Sequence, residues 1–367
     1  MSPNGVSVII CAHNSAGRIR STIERVARCR AEFPVEIILV DNGSTDDTAV
    51  LAAQCWSATG NDCFTFSVVR EPLAGLAFAR RAGVRAASGD TIVFCDDDNW
   101  LREDYLLHAK RIMADPSVGA AGGCATPTNP ERLPAWFYTF SWGFAVGVPF
   151  EAIERIPEPP NTECAVEALW GAGLVVRRDA IALLYTLPNF PALTGRKNAA
   201  LLSGEDLEIS ACLACAGYKL IFSHALRFQH DLAPERFELA YAKRLFANFG
   251  AGFRMLGYYH KIIDAADRPA RVAMIGLARI VKHVLVWKLN RDSLLSLLAA
   301  LRLSSLLTAD QRRIYDTVRR IRSRAQPPSR ANTESAAMER LPRAAKRRPA
   351  MISPPRVDRE NSDFLSY

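Results

Sequence analysis

Four short apolar runs in the first hundred residues, each followed by an amphipathic stretch, constrain the fold of this chain more than any other feature. Val6-Ser-Val-Ile-Ile-Cys11, Val35-Glu-Ile-Ile-Leu-Val40, a segment from Phe64 to Val69 and Thr91-Ile-Val-Phe-Cys95 read as strands. Ile19, Ile23, Val26 and Ala27 mark one helical face at spacings of three and four, and further helices are predicted over roughly 46–55 and from Gly75 to Ala87. Strand and helix in alternation predict an α/β fold with a mostly parallel central sheet covered on both faces, and ligands beyond the carboxyl ends of the strands. Reactive side chains are therefore expected just after each strand.

Past Val118 the rhythm loosens. Pro127 to Pro160 is Pro- and aromatic-rich, too long for a simple connection, and reads as a binding loop. Regular pattern returns at Gly171-Ala-Gly-Leu-Val-Val-Arg-Arg178 and at a helix starting near Glu205, and residues 236–307 look helical throughout. Val272 to Leu289 is apolar but interrupted by Arg279, Lys282 and His283, short of the roughly 20 apolar residues a spanning helix needs. This run and Leu294 to Leu307 are amphipathic helices that either pack on the core or lie in a membrane interface. From Ala325 onward Pro, Ser, Arg and Ala dominate without periodicity, which predicts a disordered tail. The expected organisation is a first domain over 1–255, a helical segment over 256–324 and the basic tail over 325–367.

The formal net charge of +8 belongs to the end of the chain, since residues 309–350 hold 12 Lys or Arg and 4 Asp or Glu. The nearly neutral remainder argues against a nucleic-acid partner. A basic tail behind two amphipathic helices suits peripheral contact with an anionic membrane surface. Nine cysteines, an odd number scattered through apolar stretches, imply a reducing compartment. Cys212 and Cys215 fall within a helical period and read as small core residues. The chain enters its first strand without a signal-peptide pattern. Its expected location is the cytoplasm, peripheral on the inner face of the plasma membrane.

Three constellations can carry chemistry. Asp96-Asp97-Asp98 follows a buried strand, where crowded carboxylates are tolerated when they share a cation; a solvated acidic turn is the alternative. A hard divalent ion held there keeps positions open for phosphate oxygens. Asp41 ends another strand and can accept hydrogen bonds from a nucleoside, while Gly43, Ser44 and Asp46 serve the turn and the next helix. Glu205, Asp206 and Glu208 follow Gly204 at a helix start, where the dipole stabilises carboxylates. Cap and general base are both open readings at that point.

Together these segments resemble the inverting family 2 nucleotide-sugar glycosyltransferases of the GT-A fold, over about residues 5–253. Val-Ile-Ile-Cys11-Ala-His13-Asn14 is similar to the family's first strand and loop, with Cys11 and His13 departing from its usual Pro and Tyr. Val40-Asp41-Asn42-Gly-Ser-Thr-Asp46 and Arg70-Glu71-Pro72-x-x-Gly75-Leu-x-x-Ala79-Arg80 match two further segments. The resemblance implies Asn14, Asp41, Arg80 and Asp96 on the donor side. It implies Asp98 as direct metal ligand with Asp96 beside it, and Asp206, paired with Glu205, as the catalytic base. His230 is a further candidate ligand, with a structural histidine as the alternative. Pro134-Ala-Trp136-Phe137 and Leu193-Thr-Gly-Arg196-Lys197 also resemble the family. Trp136, Phe137, Trp142 and Phe144 could stack on a sugar, the first two on the acceptor, and Arg196 and Lys197 could neutralise a leaving diphosphate, or they form a core-covering loop and a solvated turn.

The implied reaction is transfer of a single sugar from a nucleotide diphosphate sugar to the hydroxyl of a glycan or lipid-linked acceptor, aided by Mg2+ or Mn2+, in cell-surface glycan or polysaccharide biosynthesis. Processive synthases of the family carry a Gln-x-x-Arg-Trp segment and spanning helices that this sequence lacks. An Asp-x-Asp phosphohydrolase is a competing reading, although Trp100 stands where such enzymes have Thr or Val. A non-catalytic nucleotide-sugar-binding protein is another.

Overall fold

A computed structural model describes residues 4–149, 163–188, 190–191, 204–270, 272, 295, 298–299, 301 and 307–324. Nine strands form one sheet: β1 (Val6–Ala12), β2 (Val35–Asp41), β3 (Thr65–Arg70), β4 (Thr91–Asp96), β5 (Asn99–Leu101), β6 (Val118–Pro127), β7 (Glu163–Ala165), β8 (Val175–Arg177) and β9 (Lys219–His230). Their order is β3-β2-β1-β4-β8-β6-β9-β5, with β7 paired to β9. The four strands expected from the N-terminal rhythm are all present and all parallel. Beyond β4 the sheet is mixed: β8 runs antiparallel to both β4 and β6, β6 and β9 are parallel, and β5 pairs antiparallel with β9.

Helices α1 (Ile19–Ala27), α2 (Thr48–Thr59) and α4 (Tyr105–Met113) share a core with one face of the sheet. Helices α3 (Leu76–Ala86), α6 (Arg178–Tyr185) and α7 (Glu205–Cys215) share a core with the other. Alternation along β1 explains the two cores: Val8, Ile10 and Ala12 enter the first, Ile9 and Cys11 the second. A strand buried on both faces needs a continuous apolar run, which is what residues 6–12 supply. At Gly83 an added Cβ would lie 2.3 Å from Ile9 Cγ2, so glycine lets α3 settle directly on β1.

Three further helices complete the described chain: the short α5 (Phe137–Phe140), α8 (Leu239–Asp267) and α9 (Ala309–Arg324). The long helix α8 passes residue 255 without a break, and the Tyr259 hydroxyl donates to buried Glu208 on α7 at 2.6 Å. Ile314, Val318 and Ile321, spaced four and three apart, bury one stripe of α9 in the same core. Of the two amphipathic runs, the described Val272, Leu295, Ala299 and Leu307 are also buried there, which favours core packing over the membrane alternative for those residues. Cys212 and Cys215 are buried, in keeping with a packing role. Among the described residues no helix is long and apolar enough to cross a membrane. The tail over 325–367 lies outside the described residues.

Because Ile314 is fully buried, Ile314→Ala should lower unfolding free energy by about 2–5 kcal/mol in urea denaturation. A change within the noise of the titration would mean that α9 is not docked.

Candidate active site

The carboxyl ends of β1, β2 and β4 lie side by side, with Cys11 opposite Asp96 and Ala12 opposite Asp41. Beyond them opens a cleft of about 570 Å³ whose floor includes His13, Asn42, Arg80, Asp96, Asp97, Asp98, Glu205 and Asp206. Its position is the one expected for a sheet of this kind. Asn42 steadies one rim. Its Nδ2 donates to the carbonyls of Glu71 and Leu73 at 3.1 and 2.7 Å, and its Oδ1 accepts from Gly75 N–H at 2.8 Å.

The three consecutive aspartates occupy three different environments. Asp96 is half-buried and lies 3.7 Å from Arg80 Nη2. Asp97 turns back toward α1, accepting from the Ser15 hydroxyl and from Arg18 Nη2, the latter at 3.0 Å. Burial first, and then the charge of Asp98, push its carboxyl up to about 6 against the opposing pull of Arg18 and Ser15. Asp98 is also buried, which alone would raise its proton affinity, but His230 and Arg236 outweigh that and hold it far below the usual carboxylate range. His230 Nε2 and Arg236 Nη2 lie 3.4 and 3.1 Å from Asp98 Oδ2. The strand register makes this pairing possible, since Asn99 on β5 stands opposite His230 on β9.

Asp98 Oδ2 and His230 Nε2 thus bring one oxygen and one nitrogen donor to the same point on the cleft, a combination that suits a divalent ion such as Mn2+, which would take the place of the Arg236 guanidinium lying 3.1 and 3.2 Å from them. Among the described residues, the buried Nδ1 of His230 has no hydrogen-bond partner. No group of three or more His, Cys, Asp or Glu side chains converges as a metal cage among the described residues. The residues therefore fit an ion that completes its coordination with substrate phosphates rather than one enclosed by protein.

Arg80 joins the two acidic motifs. Its guanidinium is buried, 3.7 Å from Asp96 and 3.8 Å from Glu205, donates to Gly171 C=O at 3.2 Å and lies 5.1 Å from the centre of the Phe94 ring. A Cβ at Gly171 would stand 2.6 Å from Arg80 Nη2, so glycine is what leaves room for the guanidinium. Glu205 and Asp206 point different ways. Glu205 faces inward to Arg80 and receives the Tyr185 hydroxyl at 3.3 Å, and burial raises its carboxyl from 4.5 to about 7. Asp206 stays half-buried on the cleft, with Oδ2 accepting from Gly171 N–H at 2.9 Å and Oδ1 from Leu207 N–H at 2.9 Å.

Other expected site residues fall outside the cleft lining. Asp41 is half-buried beside it, and its Oδ1 accepts from Ser44 N–H at 3.1 Å. Asn14, at φ 50°, joins two loops by accepting from Thr45 N–H at 2.8 Å. Phe137, expected to stack on an acceptor, is instead fully buried in an aromatic core, 4.9 Å from the Phe144 ring, and Trp136 packs beside it. The reason is their place on α5, whose first turn faces α8 and the 3₁₀ turn over 141–144. Arg196 and Lys197 lie outside the described residues.

Of the four expected aromatics, Trp142 and Phe144 do line the cleft, and Trp170, next to Gly171, and Phe249 and Phe253 of α8 complete the aromatic wall. The α8 aromatics carry a signal in sequence, a spacing of four on a helix, but it is the same signal a core stripe gives. Arg18 and Arg236 have no sequence signature and were found only through their aspartate partners.

Folding raises the proton affinity of Glu205, so its contribution to stability is full below pH 4.5 and is lost as the pH rises through about 7. Glu205→Gln should remove that slope, and between about pH 4.5 and 7 the variant's Tm should fall less than that of the wild type. Parallel Tm profiles would remove Glu205 as the titrating group.

Glycosyl transferase family 2 matches residues 7–179 of this chain. The glycosyltransferase AglE of Haloferax volcanii is 25% identical over 230 residues, which cover 62% of this chain and 67% of AglE. EpsH of Bacillus subtilis is 30% identical over 115 residues, 31% of this chain, and the match spans only 32% of EpsH. Among solved structures, mannosyltransferase PcManGT of Pyrobaculum calidifontis, in complex with GDP-Man and Mn2+, is 21% identical with a TM-score of 0.46, covering 87% of this chain and 85% of that one. TarS 1–349 of S. aureus in complex with UDP-GlcNAc is 13% identical with a TM-score of 0.45, covering 87% and 90%. The segment 7–179, which spans the parallel half of the sheet and both acidic turns at its carboxyl edge, is a glycosyl transferase family 2 region.

Proposed function

We propose that this chain transfers a single sugar from a nucleotide diphosphate sugar to an acceptor hydroxyl, with inversion at the anomeric carbon. The observation that carries the reading is the Arg80 bridge, which puts the aspartate triplet and the Glu205-Asp206 turn on one cleft. Neither a phosphohydrolase nor a passive binding protein requires both acidic motifs in contact with one guanidinium.

Asp206 is the base. It sits on the first turn of α7, where the helix dipole favours its anion, and Gly171 N–H holds one oxygen in place. From there it takes the proton of the acceptor hydroxyl as that oxygen attacks the anomeric carbon. The new carbon–oxygen bond forms on the face opposite the leaving group, and the old bond breaks with its electron pair going to the diphosphate. A base so placed contributes about 10²–10⁴-fold. Asp98 and His230, with Asp96 beside them, would hold a divalent cation that acts as a Lewis acid toward the leaving diphosphate. Arg80 keeps Asp96 and Glu205 in register on either side of the reacting centre. Trp170, Trp142 and Phe249 offer apolar faces to sugar C–H groups. Asp41 orders the turn next to the nucleoside end of the cleft. The acceptor is a glycan or a lipid-linked saccharide of the cell surface, and membrane contact through the C-terminal segment belongs to the same proposal.

A panel of nucleotide sugars that includes GDP-mannose and UDP-GlcNAc, read by thermal shift with and without Mn2+, tests the donor and the ion together. Asp206→Asn should lower turnover by at least about 10²-fold while donor binding survives. Near-normal turnover in that variant would remove Asp206 as the base. Nucleotide diphosphate should raise Tm only with Mg2+ or Mn2+ present, and Asp98→Asn should abolish the dependence. Equal stabilisation in chelator would sink the metal assignment.

A further inference from the structure

A second cleft, of about 480 Å³, lies against the β5–β9 pair and shares no lining residue with the first. Five arginines from three segments line it: Arg25, Arg28 and Arg30 from the end of α1, Arg102 after β5, and Arg227 in β9. The segments are sewn together by backbone, Arg30 N–H donating to Glu103 C=O at 2.7 Å and Arg102 N–H to Arg227 C=O at 3.1 Å. Trp100 forms part of the wall, with the Arg25 guanidinium 5.4 Å from its ring centre. The Arg227 Nε is fixed by donating to His224 C=O at 2.8 Å.

Counter-charge within the cleft is scarce. Asp104 takes Arg102 at 3.0 Å, and Glu103 is the other acid on the lining. Among the described residues no carboxylate lies within ion-pair distance of Arg25, Arg28, Arg30 or Arg227. A helix C-terminus favours cations, which accounts for Arg25 and Arg28 on α1. It does not account for Arg102 and Arg227, which arrive from other elements. Guanidinium groups gathered around a concave site focus a positive potential, and their forked donors match phosphate oxygens.

We propose that this cleft is a binding site for a phosphoryl oxyanion, separate from the sugar-transfer cleft and independent of the reading given to it. The phosphate belongs either to an anionic lipid headgroup or to a soluble phosphate. Trp100 follows Asp98 by two residues: the first cleft takes the residue just before β5 and the second takes Trp100 and Leu101 of the strand itself.

The test uses the full chain and a variant with Arg25, Arg28 and Arg102 each changed to Ala; all three are exposed and none contacts the first cleft. Inorganic phosphate is titrated calorimetrically, and flotation is measured with phosphatidylcholine vesicles with and without phosphatidylglycerol. Wild type should bind phosphate at least tenfold more tightly than the variant. Loss of phosphatidylglycerol-dependent flotation in the variant identifies the headgroup as the source, whereas weakened phosphate binding with unchanged flotation identifies a soluble phosphate. Arg28→Glu alone serves as a second variant should the triple one melt early. Equal phosphate affinity and equal flotation in wild type and both variants overturn the proposal.

Discussion

Arg80 is a full positive charge with 2% of its surface exposed, and the arrangement of the sugar-transfer cleft depends on how that charge is compensated. Removing a guanidinium from water is costly unless opposite charge and hydrogen-bond acceptors replace the lost solvent. Here Asp96, Glu205, the Gly171 carbonyl and the face of Phe94 do so. Each comes from a different part of the chain: the end of β4, the start of α7, the turn before β8 and the body of β4. One side chain on α3 therefore locks together elements separated by more than a hundred residues in sequence. The same Gly171 whose carbonyl receives Arg80 gives its N–H to Asp206, so buried charge and cleft-facing carboxylate are set by one peptide turn.

Neighbouring acids acquire opposite properties from this packing. Asp97 and Asp98 are adjacent and both buried, yet the first is pushed up to about 6 and the second is held far below the ordinary range. The difference lies in their partners: Asp98 meets both His230 and Arg236, whereas Asp97 has Arg18 and the Ser15 hydroxyl and feels the negative charge of its neighbour. Glu205 and Asp206 divide in the same manner. The residue facing the core takes up a proton near neutral pH and serves the architecture, leaving the residue on the cleft available to a substrate.

The second, arginine-lined cleft is built by the same ribbon that carries Asp98 and His230, but from its other residues. Asn99 pairs with His230 and Trp100 with Gln229; Asp98 and His230, at one end of the ribbon, line the first cleft, and Trp100, Leu101 and Arg227 to Gln229 line the second. A single two-stranded ribbon can in this way present an acid–imidazole pair to one cleft and an indole and arginines to another.

Sequence alone determined the local features whose signal is complete within a short window. The buried strands at residues 6–12, 35–41 and 91–96 announce themselves as mostly apolar runs, because a strand buried on both faces keeps few polar positions, here Ser7, Glu36 and Thr91 near the strand starts. The acidic turns after them, and Glu205-Asp206 at the head of α7, were legible for the same reason. Phe137 was not, since an aromatic residue in a loop-rich segment carries no mark distinguishing a wall from a core. Nor were Arg18, Arg236, Trp170 and Phe249, whose roles depend on which distant element they meet. Tertiary structure alone decided that Glu205 turns inward and Asp206 outward, and that Arg80 spans both acidic motifs. Burial and charge pairing are properties of the assembled environment, and no window of sequence contains both partners.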